Sequence, residues 1–196
     1  MKIGFLFPGQ GSQSIGMGKD LYEKYEVVRK IYNKVQEITG INIAKISFEG
    51  PEEKLNETKY TQLAILTESL AILEILKQNN IKSEISAGLS LGEYTALINS
   101  QVLSFEEGIK IVQKRGEYMQ KLLPKGDWQM AAIMGLTEEQ VEELCKKVTS
   151  GFVVPANYNC VGQIAISGEK QAIEEAEIIA KEMGATTKFT ATEAGK

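Results

Sequence analysis

The sequence predicts an α/β fold, with a parallel sheet in the first part of the chain and a smaller mixed unit after it. In the first part, short apolar strands alternate with helices, a pattern typical of parallel sheets with helical crossovers. In the remainder, the order strand–helix–strand–strand–helix–strand is complete within about 65 residues, which is the order of the ferredoxin-like βαββαβ unit. No internal repeat or low-complexity segment interrupts either part.

The first predicted elements are a strand and three helices. Residues 3–7 form a short apolar run that ends at Pro8-Gly9, which predicts a buried strand. A glycine-rich loop follows, and an amphipathic helix is expected over residues 17–38. Gly50-Pro51-Glu52-Glu53 is typical of a helix that begins with proline at its first position. Residues 60–76 are apolar on nearly every side, which favours a helix buried between layers.

A second strand and two further helices complete the first part. Residues 85–88 predict a short strand, which is followed by a sharp turn at Ser90 and a helix to residue 98. Ser104 and Glu107 have the spacing of a capping box, in which each side chain bonds the other's backbone N–H. The box predicts a helix that begins there and continues to residue 123.

The break at Pro124-Lys125-Gly126-Asp127 is the predicted boundary, so residues 1–124 form the core unit and residues 125–196 the small unit. In the small unit, Thr137 and Gln140 form a second capping box. Strands are predicted at residues 130–136, 152–158, 163–167 and 186–190, and helices at residues 137–148 and 170–183.

Composition excludes several functional classes. The 196 residues contain no histidine, which removes Ser-His-Asp and Cys-His catalysis and every histidine-ligated metal site within this stretch. The net charge of −4 gives no basic field for nucleic acid or anionic lipid. No apolar run approaches the ~20 residues of a membrane span. The two cysteines form no CxxC motif, so we expect neither a disulfide framework nor a metal site, and we expect a reducing, cytoplasmic location.

Gly88-Leu89-Ser90-Leu91-Gly92 matches the nucleophile elbow, GxSxG. In an elbow, serine lies in a tight strand-to-helix turn, and small residues two positions before and after it let the backbone pass closely. The amino end of the following helix then stabilises developing negative charge. The alternative is a chance match in an ordinary loop, but the predicted strand and helix on either side favour the elbow.

The loop of residues 8–13 contains two glycines after the first strand, and its spacing fits neither the dinucleotide fingerprint nor a P-loop. We interpret it as a backbone turn near the elbow that provides half of an oxyanion hole. Gln10 and Leu91 would supply the two backbone N–H groups. A turn without a binding role is the alternative.

Arg115 lies in the middle of the apolar half of its predicted helix, and only one other arginine, Arg29, occurs in the chain. An inward guanidinium must be paired, and its planar fork suits a carboxylate held by two hydrogen bonds. The functional interpretation is recognition of an anionic substrate group. The alternatives are an internal ion pair, for example with Glu93, or a long stem whose charged end reaches solvent.

Together these segments resemble the malonyl-CoA:acyl-carrier-protein transacylases of fatty-acid synthesis and the acyltransferase domains of polyketide synthases. The resemblance covers nearly the whole chain. Its motifs are Phe7-Pro8-Gly9-Gln10-Gly11-Ser12-Gln13, Thr61-Gln62, Gly88-Leu89-Ser90-Leu91-Gly92-Glu93-Tyr94, Arg115-Gly116, Met119-Gln120, Met130-Ala131-Ala132-Ile133, Asn157-Tyr158-Asn159 and Gly162-Gln163.

The resemblance implies a role for each candidate residue. Ser90 would be the nucleophile, Gln10 and Leu91 the oxyanion hole, and Arg115 the residue that holds the free carboxylate of malonate. Malonyl would pass from coenzyme A to Ser90 and then to the phosphopantetheine thiol of an acyl-carrier protein. No cofactor is implied, because the coenzyme A thioester is a substrate. The implied fold is an α/β-hydrolase-like core with a ferredoxin-like small subdomain.

The sequence departs from the family at two places. Leu89 stands where family members often have histidine, and we give this difference little weight. The family's catalytic histidine follows the last strand of the small subdomain, in a motif of the Pro-Phe-His kind that Thr190-Ala191-Thr192 does not match. The resemblance therefore places the base and roughly the last third of the family's length beyond residue 196, and we expect an incomplete core with an exposed sheet edge.

Three explanations remain open: a recorded sequence cut short, which we favour, a chain completed by another polypeptide, or a protein that binds without transferring. Two rival functions also remain open. A serine esterase or thioesterase would share the elbow but would not need an inward Arg115. A non-catalytic module would bind coenzyme A thioesters or acyl-carrier protein without forming a covalent adduct.

Overall fold

The computed structural model describes residues 2–121 and 127–190. The chain divides into two compact units, residues 1–122 and residues 123–196, which we call unit 1 and unit 2. The boundary predicted between residues 124 and 125 lies outside the described residues. Ala191-Thr192, which do not match the family's histidine motif, also lie outside the described residues.

Unit 1 contains two described strands and seven described helices. The elements are β1 (Gly4–Phe7), α1 (Lys19–Lys24), α2 (Glu26–Thr39), α3 (Ile43–Glu49), α4 (Glu52–Leu55), α5 (Thr58–Gln78), β2 (Ile85–Gly88), α6 (Gly92–Asn99) and α7 (Phe105–Lys121). The two strands pair in parallel, from Gly4 opposite Ile85 to Phe7 opposite Gly88. The predicted α/β fold with a parallel sheet is therefore confirmed. The prediction that the strand at residues 3–7 is buried is wrong, because no residue of β1 is buried; Leu6, and Ile85 on β2, are 84% and 71% exposed.

Helix α5 runs through the core of unit 1, as its apolar sequence predicts. Eleven of its 21 residues are buried, including Leu63, Leu66 and Leu70. Buried threonines satisfy their hydroxyl groups locally, as Thr67 does by donating to the Leu63 carbonyl at 2.6 Å. Helices α2, α3 and α7 contribute further apolar residues to the same core.

The prediction of one helix over residues 17–38 is wrong, because the structure has two helices there. Tyr25 separates α1 from α2 in an extended conformation, with φ −115° and ψ 123°. The Arg29 guanidinium donates to the carbonyls of Tyr22 and Glu23 at 2.8 and 3.0 Å, and thereby satisfies groups that the end of α1 leaves free. Hydrophobic periodicity continues across the break, so the pattern alone did not reveal it.

Two smaller differences also concern helix starts. Helix α3 was not predicted, although Asn42 caps it by accepting from the Lys45 N–H at 2.9 Å. Pro51 takes the N-cap position of α4, one residue before the position predicted for it. The capping box at Ser104 is confirmed: the Ser104 N–H donates to Glu107 at 3.0 Å, and the Glu107 N–H donates to Ser104 at 3.2 Å.

Unit 2 has the predicted βαββαβ order. Its elements are β3 (Trp128–Met134), α8 (Glu138–Lys147), β4 (Val153–Cys160), β5 (Gln163–Glu169), α9 (Lys170–Glu182) and β6 (Thr186–Thr190). The strands form an antiparallel sheet in the order β4-β5-β3-β6. Helices α8 and α9 share an apolar core with the sheet, built around residues such as Leu144, Ile164 and Ile173.

No helix in the described ranges, 2–121 and 127–190, is long and apolar enough to cross a membrane.

Candidate active site

Ser90 lies in the turn between β2 and α6, where the sequence predicted an elbow. Its backbone is left-handed, with φ +51°, a conformation that is uncommon for residues other than glycine. The turn is held by the Leu89 N–H, which donates to the Phe7 carbonyl of β1 at 3.2 Å, and by the Gly92 N–H, which donates to Leu89 at 2.9 Å. The Ser90 side chain is exposed at the amino end of α6.

The two glycines of the elbow are required by space. A Cβ on Gly88 would overlap the backbone of Gly92 and Glu93, and a Cβ on Gly92 would overlap the backbone of Phe7 and Pro8. Because each obstacle is backbone, it cannot rotate away as a side chain can. The two glycines of GxSxG therefore allow the start of α6 to pack closely against the end of β2 and the end of β1.

The first loop passes directly beside the elbow. A Cβ on Gly9 would lie 2.8 Å from the Leu89 carbonyl oxygen, so the two backbones are in close contact. In the described part of the chain, the backbone N–H groups of Gln10 and Leu91 have no hydrogen-bond partner. Both N–H groups are thus without a partner in the described residues, and their assignment as an oxyanion hole remains a prediction.

Arg115 lies beside Ser90, the candidate nucleophile. Its Nη2 donates to Ser90 Oγ at 2.9 Å, and its Nη1 donates to Gln62 Oε1 at 2.6 Å. The guanidinium carbon lies 5.6 Å from the centre of the Tyr94 ring, within the range of a cation–π contact. No carboxylate in the described residues forms an ion pair with Arg115, so the structure does not support the Glu93 alternative.

Three residues that the sequence interpretation gave no role lie around Arg115: Gln62, Tyr94 and Met119. Gln62 is fully buried, and its Nε2 donates to Met119 Sδ at 3.2 Å and to Gln10 Oε1 at 3.5 Å. One signal could have identified Gln62, because a side-chain amide inside a helix that is apolar all round requires polar partners.

The two cysteines lie in unit 2. Burial, together with the nearby Glu142 carboxylate, raises the pKa of the Cys145 thiol to about 11, so this thiol is protonated at neutral pH. Cys160 is exposed and lies 3.6 Å from Gln163 Oε1. Among the described residues, no group of three or more histidine, cysteine, aspartate or glutamate side chains is arranged to hold a metal ion.

An exposed serine in a left-handed strand-to-helix turn, with N–H groups beside it that have no partner in the described residues, is the arrangement typical of proteins that transfer acyl groups through a serine. Comparison with known families agrees, because the acyl transferase domain matches residues 4–192. The chain belongs to this family.

Named relatives are more specific. The malonyl CoA-acyl carrier protein transacylase of Bacillus subtilis is 45% identical over 186 residues, which are 94% of this chain and 59% of that protein. The enzyme of the same name from Haemophilus influenzae is 42% identical over 187 residues, covering 94% of this chain and 60% of that protein. This chain thus spans about 60% of the length of these relatives.

Solved structures give the same result. The malonyl CoA-acyl carrier protein transacylase of Clostridium perfringens superposes with a TM-score of 0.89 at 44% identity, over 99% of this chain and 62% of that one. A malonyl-transacylase in complex with its type II PKS acyl-carrier protein superposes with a TM-score of 0.85 at 37% identity, over 98% and 63% of the two chains. The resemblance predicted from sequence is therefore confirmed.

Proposed function

We propose that this chain provides the nucleophile and the acyl-binding groups of an enzyme that transfers malonyl from malonyl-CoA to the phosphopantetheine thiol of acyl-carrier protein in fatty-acid biosynthesis. The observation that carries the proposal is the position of Arg115, whose Nη2 lies 2.9 Å from Ser90 Oγ. A fixed cation beside a serine nucleophile selects acyl groups that end in a carboxylate.

The transfer takes place in two steps, acylation of Ser90 and then transfer of the acyl group to the carrier thiol. Ser90 Oγ attacks the thioester carbonyl, the C–S bond breaks, and the Ser90 proton leaves with the coenzyme A thiol. The carrier thiol then attacks the malonyl ester, the C–O bond breaks, and Ser90 regains a proton. In each tetrahedral intermediate, the N–H groups of Gln10 and Leu91 would stabilise the oxyanion at the amino end of α6.

Arg115 would change partners when substrate binds. In the structure one of its five N–H groups is used by Ser90 and one by Gln62, which leaves three for a carboxylate. A malonate carboxylate that is held by two of these groups would draw the guanidinium towards itself and away from Ser90 Oγ, so that binding of the correct acyl group frees the nucleophile. A neutral acyl group has no carboxylate to bind Arg115, so Ser90 would stay bonded to it. This arrangement disfavours a simple esterase, whose substrates are neutral acyl groups.

The relatives support the choice of substrate and partner, since their names specify malonyl-CoA and acyl-carrier protein, and one was solved with its carrier protein. We propose the same pair for this chain, a cytoplasmic location, and a reaction without a resident cofactor. The general base is not a histidine of these 196 residues, because they contain none. Binding of coenzyme A thioesters without transfer is a second candidate, favoured by that same absence.

Intact-protein mass spectrometry after incubation with malonyl-CoA tests the proposal. We expect one malonyl group per chain, no adduct on Ser90→Ala, and much less adduct from acetyl-CoA than from malonyl-CoA. Formation is expected to be slow, because loss of the base leaves only binding and oxyanion stabilisation.

The outcomes separate the candidates. Equal labelling by acetyl-CoA and malonyl-CoA would contradict selection by Arg115. Tight binding of malonyl-CoA with no adduct at any time would support the binding function and contradict transfer. An adduct that persists in Ser90→Ala would place the nucleophile elsewhere.

A further inference from the structure

We infer that Gln62 is a positioning residue that sets the selectivity of the site for acyl groups ending in a carboxylate, by holding the Arg115 guanidinium through its side-chain oxygen. This inference rests on the proposed function. Gln62 forms no hydrogen bond with Ser90 or with the backbone N–H groups of Gln10 and Leu91, and its contact with Gln10 is a 3.5 Å bond to the side chain. Its main bond is the one to Arg115, through which we infer that it acts.

The orientation of the Gln62 amide follows from its neighbours. Arginine only donates hydrogen bonds, so the atom that faces Arg115 Nη1 at 2.6 Å must be the oxygen. The Nε2 group then faces Gln10 Oε1 and Met119 Sδ, both of which can accept. Three contacts thus hold one fully buried amide, and a reversed amide would place two donors against each other.

The distance between Gln62 and Arg115 is fixed by a close approach of α5 and α7. A Cβ on Gly116 would lie 2.8 Å from the Lys59 Cα, so the helices meet almost backbone to backbone next to Arg115. A second bond crosses the same junction, where the Lys59 N–H donates to Gln120 Oε1 at 3.2 Å. The guanidinium is therefore supported by two rigid helices and not by a loop.

The absence of charge on Gln62 is as important for selectivity as its position. A neutral acceptor orients the guanidinium but leaves its positive charge for the substrate carboxylate. A carboxylate at the same place would form a buried ion pair with Arg115 and would compete directly with malonate. An apolar side chain would remove the acceptor and let the guanidinium turn away from Ser90.

Isothermal titration of the chain with malonyl-CoA and with acetyl-CoA tests this inference without requiring catalysis. For Gln62→Glu, we expect malonyl-CoA affinity to fall by about tenfold or more, while acetyl-CoA affinity stays within about threefold. Gln62→Leu should lower the malonyl-to-acetyl ratio by a smaller factor. The matched control is Gln78→Glu, which adds the same charge to an exposed position of α5 and should retain the wild-type ratio.

A double-variant comparison separates positioning from a general structural effect. In an Arg115→Ala background, the uncharged change Gln62→Leu should leave the malonyl-to-acetyl ratio unchanged, because the residue through which Gln62 acts is absent. A further fall in that background would overturn the inference, as would a wild-type ratio in Gln62→Glu. If Gln62→Glu does not fold, as shown by the lack of a cooperative thermal transition, Gln62→Leu replaces it, and a wild-type malonyl-to-acetyl ratio in that variant would overturn the inference. A wild-type chain with no preference for malonyl-CoA would instead refute the proposed function.

Discussion

Ser90 and its neighbours show how single residues position the candidate site. The left-handed turn at Ser90 is tolerated because the backbone hydrogen bonds of Leu89 and Gly92 close around it. Arg115, an inward cation in the sequence pattern, bonds Ser90 and has no carboxylate partner in the described residues. The serine and the arginine could therefore be identified from motif and periodicity, while their 2.9 Å separation required the fold.

At Gly92, we predict that a single added methyl group destroys the elbow. In Gly92→Ala the Cβ overlaps the Phe7 and Pro8 backbone, and relief would require β1 and α6 to separate. We expect a loss of about 3 kcal/mol or more in the free energy of unfolding, together with loss of Ser90 labelling. Denaturant unfolding and intact-mass labelling measure the two effects.

The control for this prediction is Gly108→Ala, a second buried glycine within a helix. Its added Cβ would overlap Cδ1 and Cγ1 of the Ile98 side chain, which, unlike the backbone met at Gly92, can move by changing rotamer. Alanine also favours helix over glycine by about 1 kcal/mol, so the net change should stay within about 1 kcal/mol. If both variants lose equal stability, the close approach at the elbow is not the cause.

Among the elements, helix α5 combines a core role with a site role. Its length and burial followed from a sequence that is apolar on all sides. The role of Gln62 did not, because it depends on how closely α5 passes α7 at Gly116, and a single sequence does not give helix–helix distances. The break between α1 and α2 escaped prediction for a similar reason, since the Arg29 side chain that stabilises it bonds backbone carbonyls and leaves no periodic signal.

Glu68 gives α5 a pH-dependent stability. Burial, with a further contribution from the Asp20 carboxylate, raises the pKa of Glu68 above its ordinary value of 4.5. Tyr32 lies beside Glu68: its buried hydroxyl has no hydrogen-bond partner among the described residues, and a Cβ added to Gly18 would lie 2.7 Å from that hydroxyl and 3.3 Å from Glu68 Oε1. Between the unfolded and folded pKa values, the folded state holds more protons, so its stability falls as pH rises.

We therefore predict that Glu68→Gln raises the melting temperature at about pH 7.5, and that the gain shrinks as the pH approaches about 4.5. Thermal melts across this range measure the difference between variant and wild type. Glu53→Gln, which removes one carboxylate from an exposed position of α4, should show no such trend. A gain that is constant with pH would contradict the assignment to Glu68 titration.

For the molecule as a whole, the order of the helices and strands was easier to predict than the chemistry of the candidate site. The βαββαβ order of unit 2 and the parallel pair in unit 1 followed from pattern, because period and turn residues are local properties. The chemistry depends on which residues the whole chain contains. The candidate nucleophile Ser90, the Arg115 cation and the N–H groups of Gln10 and Leu91 all lie in unit 1, whereas no histidine occurs in the 196 residues.

This composition leads to a prediction of chemical rescue. If a histidine base is all that these residues lack for acylation, free imidazole should accelerate the formation of malonyl-Ser90 in proportion to its concentration. Its neutral form is the active species, so the effect should grow as pH rises through about 7. Rescue should remain far below full activity, because a base held in place has an effective concentration of about 10⁵ M or more. Timed intact-mass spectra measure the rate.

Two comparisons give the rescue experiment its meaning. Ser90→Ala should show no adduct at any imidazole concentration, which separates enzyme acylation from hydrolysis of malonyl-CoA by imidazole itself. Arg115→Ala should retain the imidazole response but lose the preference for malonyl-CoA over acetyl-CoA, because base and cation act on different parts of the acyl group. A rapid wild-type rate that imidazole does not change would show that another group among these residues serves as the base, and the absence of histidine would then have no catalytic consequence.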